Sequence, residues 1–151
     1  MQATPYRDER LPRYTSYPTA PHFNAGVDGA CYSGWLKALA AGTTTSLYLH
    51  VPFCRSMCWY CGCHTTVALR NGPIVDYLAA LRGEIALVAE QLSAPLDVRH
   101  IHFGGGTPTI LEPADFAALV ALLRQRFAVH PQAEIAVEID PRRLDPAMTA
   151  A

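Results

Sequence analysis

The sequence predicts an α/β fold with a parallel β-α-β-α-β core in an open or barrel-like sheet. Three short runs alternate apolar and polar residues with a period of two, which is typical of strands. Segments of about thirty residues or more with helical apolar spacing separate them, and such crossovers join parallel strands with right-handed connections. One face of each strand is polar, which indicates an open or barrel-like sheet whose inner face lines a ligand site.

Length and composition restrict the class of protein. The chain has 151 residues, of which 50% are hydrophobic and 17% charged, with a formal net charge of −1. This predicts about one domain with a real core, no nucleic-acid partner, and no membrane span, because no apolar run is long enough. Five cysteines without a secretory signal pattern favour the reducing cytoplasm, where clustered thiols usually serve metal or redox chemistry.

The first part of the chain predicts an extended arm followed by a short helix. The segment Leu11–Phe23 contains three prolines and no regular apolar period, and residues before proline avoid the helical region. A helix is expected over Gly29–Ala41, with Trp35, Leu36 and Leu39 on one face. The domain boundary is therefore predicted between residues 45 and 46, with the arm and helix in 1–45 and the barrel core in 46–151.

The core begins with a predicted strand at Ser46–Val51, which Pro52 ends. The turn at Asn71-Gly72-Pro73 starts a helix that runs to about residue 92, because proline suits the first helical position. A second strand is predicted at Val98–Phe103 and leads into the segment GGGTPT at residues 104–109.

The remaining elements continue the alternation. A helix is predicted from Pro113 to about Phe127, a third strand over Glu134–Ile139, and the opening of another helix over Leu144–Ala151. The polar faces of the three strands carry Tyr48, His50, His100, His102 and Glu138.

Four of the five cysteines follow the first predicted strand, in the sequence CRSMCWYCGC. Cys54, Cys58 and Cys61 have the spacing C-x3-C-x2-C, which can hold three irons of a cubane iron–sulfur cluster and leave the fourth iron open. A closed zinc site completed by Cys63 or His64 is an alternative, although a second C-x2-C pair is missing. A disulfide framework is a further alternative and would need an oxidising compartment.

Taken together, these motifs resemble the radical S-adenosylmethionine (SAM) superfamily. Within it, YLHVPFC, the CGC that ends at Cys63, GGGTPT and the N-terminal RYTSYPT resemble the family of oxygen-independent coproporphyrinogen III dehydrogenases (oxidases). The related haem-chaperone branch shares the cysteine motif and GGGTP, but it lacks the RYTSYPT arm and normally has an aromatic residue at the position of Cys63. The resemblance implies the N-terminal part of a partial (β/α) barrel of radical SAM type.

The resemblance also implies a set of ligands. A [4Fe–4S] cluster would be held by Cys54, Cys58 and Cys61, while Cys63 would not be a cluster ligand. Two SAM molecules would be bound, and the residues that match their contacts are Tyr48, Tyr60, Gly105, Gly106, Thr107 and Glu138. No residue of this chain is expected to act as a catalytic acid, base or nucleophile.

The implied activity is the oxygen-independent oxidative decarboxylation of coproporphyrinogen III to protoporphyrinogen IX, a step of haem biosynthesis. An electron donor such as a flavodoxin or ferredoxin and a monomeric state are expected with it. Because the family's enzymes are much longer, the chain is interpreted as a fragment whose own activity is a separate question. The alternatives are a haem-chaperone-like relative and a non-catalytic metal-binding module.

Overall fold

The computed structural model describes residues 20–150, and its centre is a three-stranded parallel sheet. The strands are β1 (Thr44–Val51), β4 (Asp97–Gly105) and β5 (Val129–Val137), in the order β1-β4-β5. The predicted parallel α/β architecture is confirmed. The RYTSYPT motif at residues 13–19 and residue 151 lie outside the described residues.

Helices α2 (Gly72–Gln91) and α3 (Pro113–Arg126) cover one face of this sheet. Both have a proline in the first turn. Backbone N–H groups in that turn have no acceptor within the helix, so proline, which lacks an N–H, costs no hydrogen bond there. Their apolar stripes meet the inward residues of the strands in one core, which includes Leu49, Val51, Val98, Ile101 and Phe103 from the sheet and Ile74, Leu78, Leu81, Ile85, Leu119 and Leu123 from the helices. Both helices lie where the sequence predicts them.

Several predicted boundaries differ from the structure. Helix α1 spans Gly29–Lys37 and ends four residues before the predicted Ala41, and Trp35 on its predicted apolar face is exposed. Strand β5 begins five residues before the predicted Glu134 and ends two residues before the predicted Ile139. The described end of the predicted extended arm contains a 3-10 turn at Ala20–His22, so the extended prediction is wrong there. The last helix, α4, spans Pro146–Ala150.

A small two-stranded sheet closes the cysteine loop and was not predicted. Strands β2 (Phe53–Cys54) and β3 (Thr66–Val67) pair in parallel. The backbone N–H of Thr66 donates to the carbonyl of Pro52 at 2.8 Å, and that of Ala68 donates to the carbonyl of Cys54 at 2.9 Å. The two ends of the loop from residue 54 to 66 are therefore held together.

The second face of the sheet is open among the described residues, and its outward side chains are polar. Tyr48, His102 and Glu138 are exposed there and lie next to one another. The predicted polar face is thus present on the side away from α2 and α3. Within residues 20–150, no helix combines the length and the hydropathy that a bilayer crossing requires.

Candidate metal centre

A cavity of about 660 Å³ lies at the carboxyl ends of the three parallel strands. Each strand is followed there by the segment that lines it, as is usual for ligand sites of parallel sheets. The walls come from the cysteine loop, the glycine-rich segment and the segment after β5, namely Cys54, Cys58, Trp59, Tyr60, Cys61, Gly62, Cys63, Thr65, Gly105, Gly106, Thr107, Ile139, Asp140, Pro141 and Arg142.

Cys54 is the cysteine most firmly held by neighbouring elements. Its Sγ lies 3.4 Å from the Thr107 hydroxyl oxygen, and the Thr65 hydroxyl donates to it at 3.5 Å. The backbone N–H of Thr107 in turn donates to the Phe53 carbonyl at 2.8 Å. The glycine-rich segment and the returning end of the loop therefore both fix this thiol at the cavity wall.

Cys58 and Cys61 belong to one turn of the loop, because the N–H of Cys61 donates to the Cys58 carbonyl at 3.1 Å. The Cys58 Sγ also accepts a hydrogen bond from Arg142 Nη2 at 3.4 Å. Cys63 is exposed. Partial desolvation raises the pKa of the Cys63 thiol, and the neighbouring Cys61 raises it further through its charge and a hydrogen bond.

Arg142 and Asp140 form an ion pair on the cavity wall. Arg142 Nε and Nη2 donate to Asp140 Oδ1 and Oδ2, each at 2.8 Å. This hydrogen bond lowers the pKa of the Asp140 carboxyl below its usual value and raises the pKa of the Arg142 guanidinium. Both groups are therefore charged at neutral pH.

The glycine-rich segment comes too close to its neighbours for larger residues. Gly105 has φ = +113°, a conformation that side chains rarely adopt, and a Cβ there would lie 2.8 Å from the His50 ring. A Cβ on Gly106 would lie 2.5 Å from the Phe53 carbonyl oxygen. Glycine is therefore required at position 105 to keep the segment against His50 of β1, and at position 106 to keep it against Phe53.

Glu138 links the glycine-rich segment to the open face of the sheet. Its Oε2 accepts from the Gly105 N–H at 3.1 Å, and its Oε1 lies 3.2 Å from His102 Nε2. Tyr48 packs beside His102, with ring centroids 5.6 Å apart. The pKa of the Tyr48 hydroxyl is raised, mainly by desolvation and to a smaller extent by the charge of the Glu138 carboxylate.

His50 connects this face to the cysteine loop. Its Nε2 donates to the His64 carbonyl at 2.9 Å, and its Nδ1 lies 3.0 Å from the Tyr48 hydroxyl oxygen. The ring therefore has a polar neighbour at each nitrogen. It occupies the space that a side chain at position 105 would need.

The structure brings seven of the nine predicted site residues onto the cavity wall, namely Cys54, Cys58, Cys61, Tyr60, Gly105, Gly106 and Thr107. Tyr48 and Glu138 do not line it and lie beside it on the open face. The sequence analysis missed Asp140 and Arg142. Their signal was their position directly after a predicted strand, since the carboxyl ends of parallel strands share one edge.

Cys54, Cys58 and Cys61 offer three thiols to one cavity, and thiols are the usual ligands of iron–sulfur clusters. Among residues 20–150, no three His, Cys, Asp or Glu side chains converge closely enough to hold one metal ion. The three cysteines nevertheless line one cavity together with hydroxyl and guanidinium donors that reach two of their sulfurs. An iron–sulfur cubane takes one cysteine per iron, whereas tetrahedral zinc needs all its ligands around one point.

The family model described as the Radical SAM superfamily matches residues 48–151. The chain belongs to this superfamily. The matched region starts in β1 and contains the cysteine loop, the glycine-rich segment and the segment after β5. Radical SAM proteins as a class use a [4Fe–4S] cluster and SAM.

Curated relatives and a solved structure indicate which members of the radical SAM superfamily this chain resembles. The chain is 60% identical over 149 residues to the oxygen-independent coproporphyrinogen III oxidase of Bradyrhizobium diazoefficiens, covering 99% of this chain and 33% of the relative. It is 43% identical over 140 residues to the enzyme of that name from Cereibacter sphaeroides, covering 93% of this chain and 31% of the relative.

The solved structure of coproporphyrinogen III oxidase from Escherichia coli, described as a radical SAM enzyme, superposes with a TM-score of 0.79 at 37% identity. The match covers 87% of this chain and 30% of the Escherichia coli chain. The chain thus spans about a third of the length of the curated relatives and of this solved structure.

Proposed function

We propose that this chain provides the cluster-binding part of an oxygen-independent coproporphyrinogen III dehydrogenase. The observation that carries the proposal is the single cavity that gathers Cys54, Cys58 and Cys61 with Gly105 and Gly106. The similarity to enzymes named for this activity supports the choice of substrate, coproporphyrinogen III. The complete reaction would convert two propionate side chains to vinyl groups and give protoporphyrinogen IX.

In the proposed site, Cys54, Cys58 and Cys61 hold a [4Fe–4S] cluster. When bound, the cluster and SAM together supply the one-electron chemistry that starts a radical reaction. The protein's own part is to hold and orient its ligands and to limit access of water. Thr65 and Thr107 orient the Cys54 sulfur, because both hydroxyls lie within 3.5 Å of it.

For SAM, the glycine-rich segment and Glu138 are the proposed contacts. Gly105, Gly106 and Thr107 line the cavity and let a ligand approach the backbone closely. Glu138 is held beside them by the Gly105 N–H and accepts hydrogen bonds from an ammonium or ribose hydroxyl.

A second SAM molecule is part of the proposal and rests on the two tyrosines. Tyr60 lines the cavity with its side chain 91% exposed, and Tyr48 lies on the open face beside Glu138. The two rings therefore offer contacts on two different sides of the glycine-rich segment.

The remaining expectations are proposed with the same function. The arm and α1 form one unit in residues 1–45, and the barrel core occupies residues 46–151. An external donor such as a flavodoxin or ferredoxin supplies the electron, and the exposure of Trp59 on the cysteine loop supports this choice. We propose a monomeric, cytoplasmic protein.

The proposal is tested by anaerobic reconstitution of the chain with iron and sulfide. We expect a brown protein with about four irons, a reduced cluster whose EPR signal changes on addition of SAM, and loss of iron in Cys58→Ser. Cys31→Ser is the matched control, because Cys31 does not line the cavity and should leave the iron content unchanged.

Two other results would contradict the proposal. A colourless protein that takes up one tightly held zinc ion would identify a structural zinc module. Stoichiometric haem binding without conversion of coproporphyrinogen III, by a longer protein that contains this chain, would favour the haem-chaperone alternative.

A further inference from the structure

We propose that Arg142 is a positioning residue for the metal centre, which it serves by donating a hydrogen bond to the Cys58 sulfur and stabilising the reduced cluster. This inference rests on the cluster assignment made above. It concerns a contact between two segments that are 84 residues apart in the sequence, the cysteine loop and the segment after β5.

The geometry of Arg142 leaves its second Nη2 hydrogen free to donate to sulfur. Its Nε and one Nη2 hydrogen are used by the two carboxylate oxygens of Asp140, both at 2.8 Å. The second Nη2 hydrogen points to Cys58 Sγ, with a nitrogen–sulfur distance of 3.4 Å. A guanidinium can make all three bonds at once because its five N–H groups lie in one rigid plane.

Asp140 fixes the direction of that donor. Its side chain is only 12% exposed, and Oδ1 also accepts from the backbone N–H of Arg142 at 3.0 Å. Pro141 follows Asp140 and restricts its backbone as well as its own φ. The carboxylate is therefore a fixed support that holds the guanidinium against the loop. Asp140 acts on the metal centre through Arg142.

Placing this cation at a ligand sulfur has an electrostatic consequence. Reducing an iron–sulfur cluster adds negative charge that is shared with its ligand sulfurs, and hydrogen bonds to those sulfurs raise the reduction potential. Cys58 is the middle ligand of the three and receives this bond from outside its own loop. Because the Arg142 side chain is 57% exposed, water screens part of the effect, and we expect a moderate change when the contact is removed.

The test compares four variants of the reconstituted chain by EPR-monitored redox titration and by the rate of iron loss to a chelator. In Arg142→Gln we expect the equilibrium constant for reduction to fall about three- to tenfold, roughly 30 to 60 mV towards more negative potential at 59 mV per tenfold. Iron loss should become several-fold faster, since partners that orient metal ligands usually strengthen metal binding.

Arg142→Lys and Asp140→Asn separate charge from position. The lysine keeps the charge but cannot bind both Asp140 oxygens and the sulfur from one rigid plane, so we expect a smaller shift in the same direction. Asp140→Asn keeps Arg142 but weakens its support, and because loss of the carboxylate charge has the opposite effect on the potential, the expected result for this variant is faster iron loss. Circular dichroism of each metal-free variant shows whether the fold is retained, and Arg142→Lys serves as the test if the glutamine variant does not fold.

Arg143→Gln is the matched control, because it removes the same charge one residue away and its side chain does not line the cavity. Equal shifts in Arg142→Gln and Arg143→Gln would overturn the proposal, because net charge alone would then explain them. Unchanged potential and iron retention in Arg142→Gln, with weaker SAM binding, would also overturn it and assign Arg142 to the ligand. A parent chain that binds no cluster would overturn the cluster assignment and this inference together.

Discussion

Phe103 and His102 are neighbours in β4, but they point to opposite faces of the sheet. Phe103 is 0% exposed and packs on Phe116 with ring centroids 4.9 Å apart. His102 is exposed and has Glu138 as its partner at 3.2 Å. One face is thus filled by apolar packing against helices, and the other presents polar groups beside the cavity.

This contrast indicates that stability and ligand binding depend on different faces of the same strands. The helix-covered face excludes water and supplies most of the hydrophobic stabilisation. The open face keeps hydrogen-bonding groups whose neighbours fix their direction, as His64 and Tyr48 do for His50. Substitutions on the two faces should therefore have effects of very different size on the free energy of unfolding.

The largest effect is expected for Phe103→Ala. Removing a fully buried aromatic side chain should lower the free energy of unfolding by about 3–5 kcal/mol, because it loses burial and leaves a cavity. His102→Ala, one residue earlier on the open face, should change it by less than about 1 kcal/mol. Urea unfolding of the metal-free chain measures both, and comparable losses would show that the two faces do not differ in this way.

A smaller effect is expected where the two faces meet at the glycine-rich segment. Gly105→Ala should cost about 1–3 kcal/mol, because φ = +113° is strained for alanine and the His50 ring, held at both nitrogens, blocks the new Cβ.

Gly83→Ala provides the control for this substitution. A Cβ at Gly83, inside α2, would meet nothing within 4 Å. The alanine variant should therefore stabilise the chain by up to about 1 kcal/mol through helix propensity. If both alanines changed the free energy of unfolding in the same direction, the claimed close contact at Gly105 would be wrong.

The smallest effect is expected for Tyr77→Phe. The Tyr77 hydroxyl donates to the His50 carbonyl, so its loss should cost about 1 kcal/mol near pH 7. Burial is the main cause that raises the pKa of Tyr77 above its usual 10.0, so this group favours folding in its protonated form.

The contribution of Tyr77 is therefore complete below the unfolded pKa and is lost as the pH rises through the higher folded value. The stability difference between the parent and Tyr77→Phe should accordingly be constant up to about pH 9 and shrink above about pH 10. Unfolding free energies measured at several pH values check this, and a difference that grew in alkali would contradict the assigned sign.

The sequence was sufficient for the order and type of the main elements, because their apolar spacing is regular and prolines mark both helix starts. It placed the start of β5 five residues too late, and the missed part contains Pro131, a residue that is depleted in strands. The register there shifts between Val98 and His100, so Val98 faces Val129 while His100 faces Glu134, and the irregularity accommodates the extra residues. No sequence rule predicts such a shift.

The candidate site was predictable to the extent that its residues lie in one motif. The cysteines and glycines share local signatures, so they could be named in advance. The contact of Arg142 with Cys58 joins distant segments and depends on how β5 is placed in the sheet. Its residues therefore become visible as partners only once the strand order β1-β4-β5 is known.

The parallel pairing of β1 with β4 also determines when this site can form. Thr44 lies opposite Asp97 and Val51 opposite Gly105, so each contact closes a loop on the order of fifty residues before it contributes any stability. Sheets with such distant contacts fold slowly compared with hairpins. During synthesis, roughly forty residues must be added after the cysteine loop before Thr107 and the glycines can pack against its thiols. We therefore expect insertion of the proposed cluster to follow the pairing of β1 with β4.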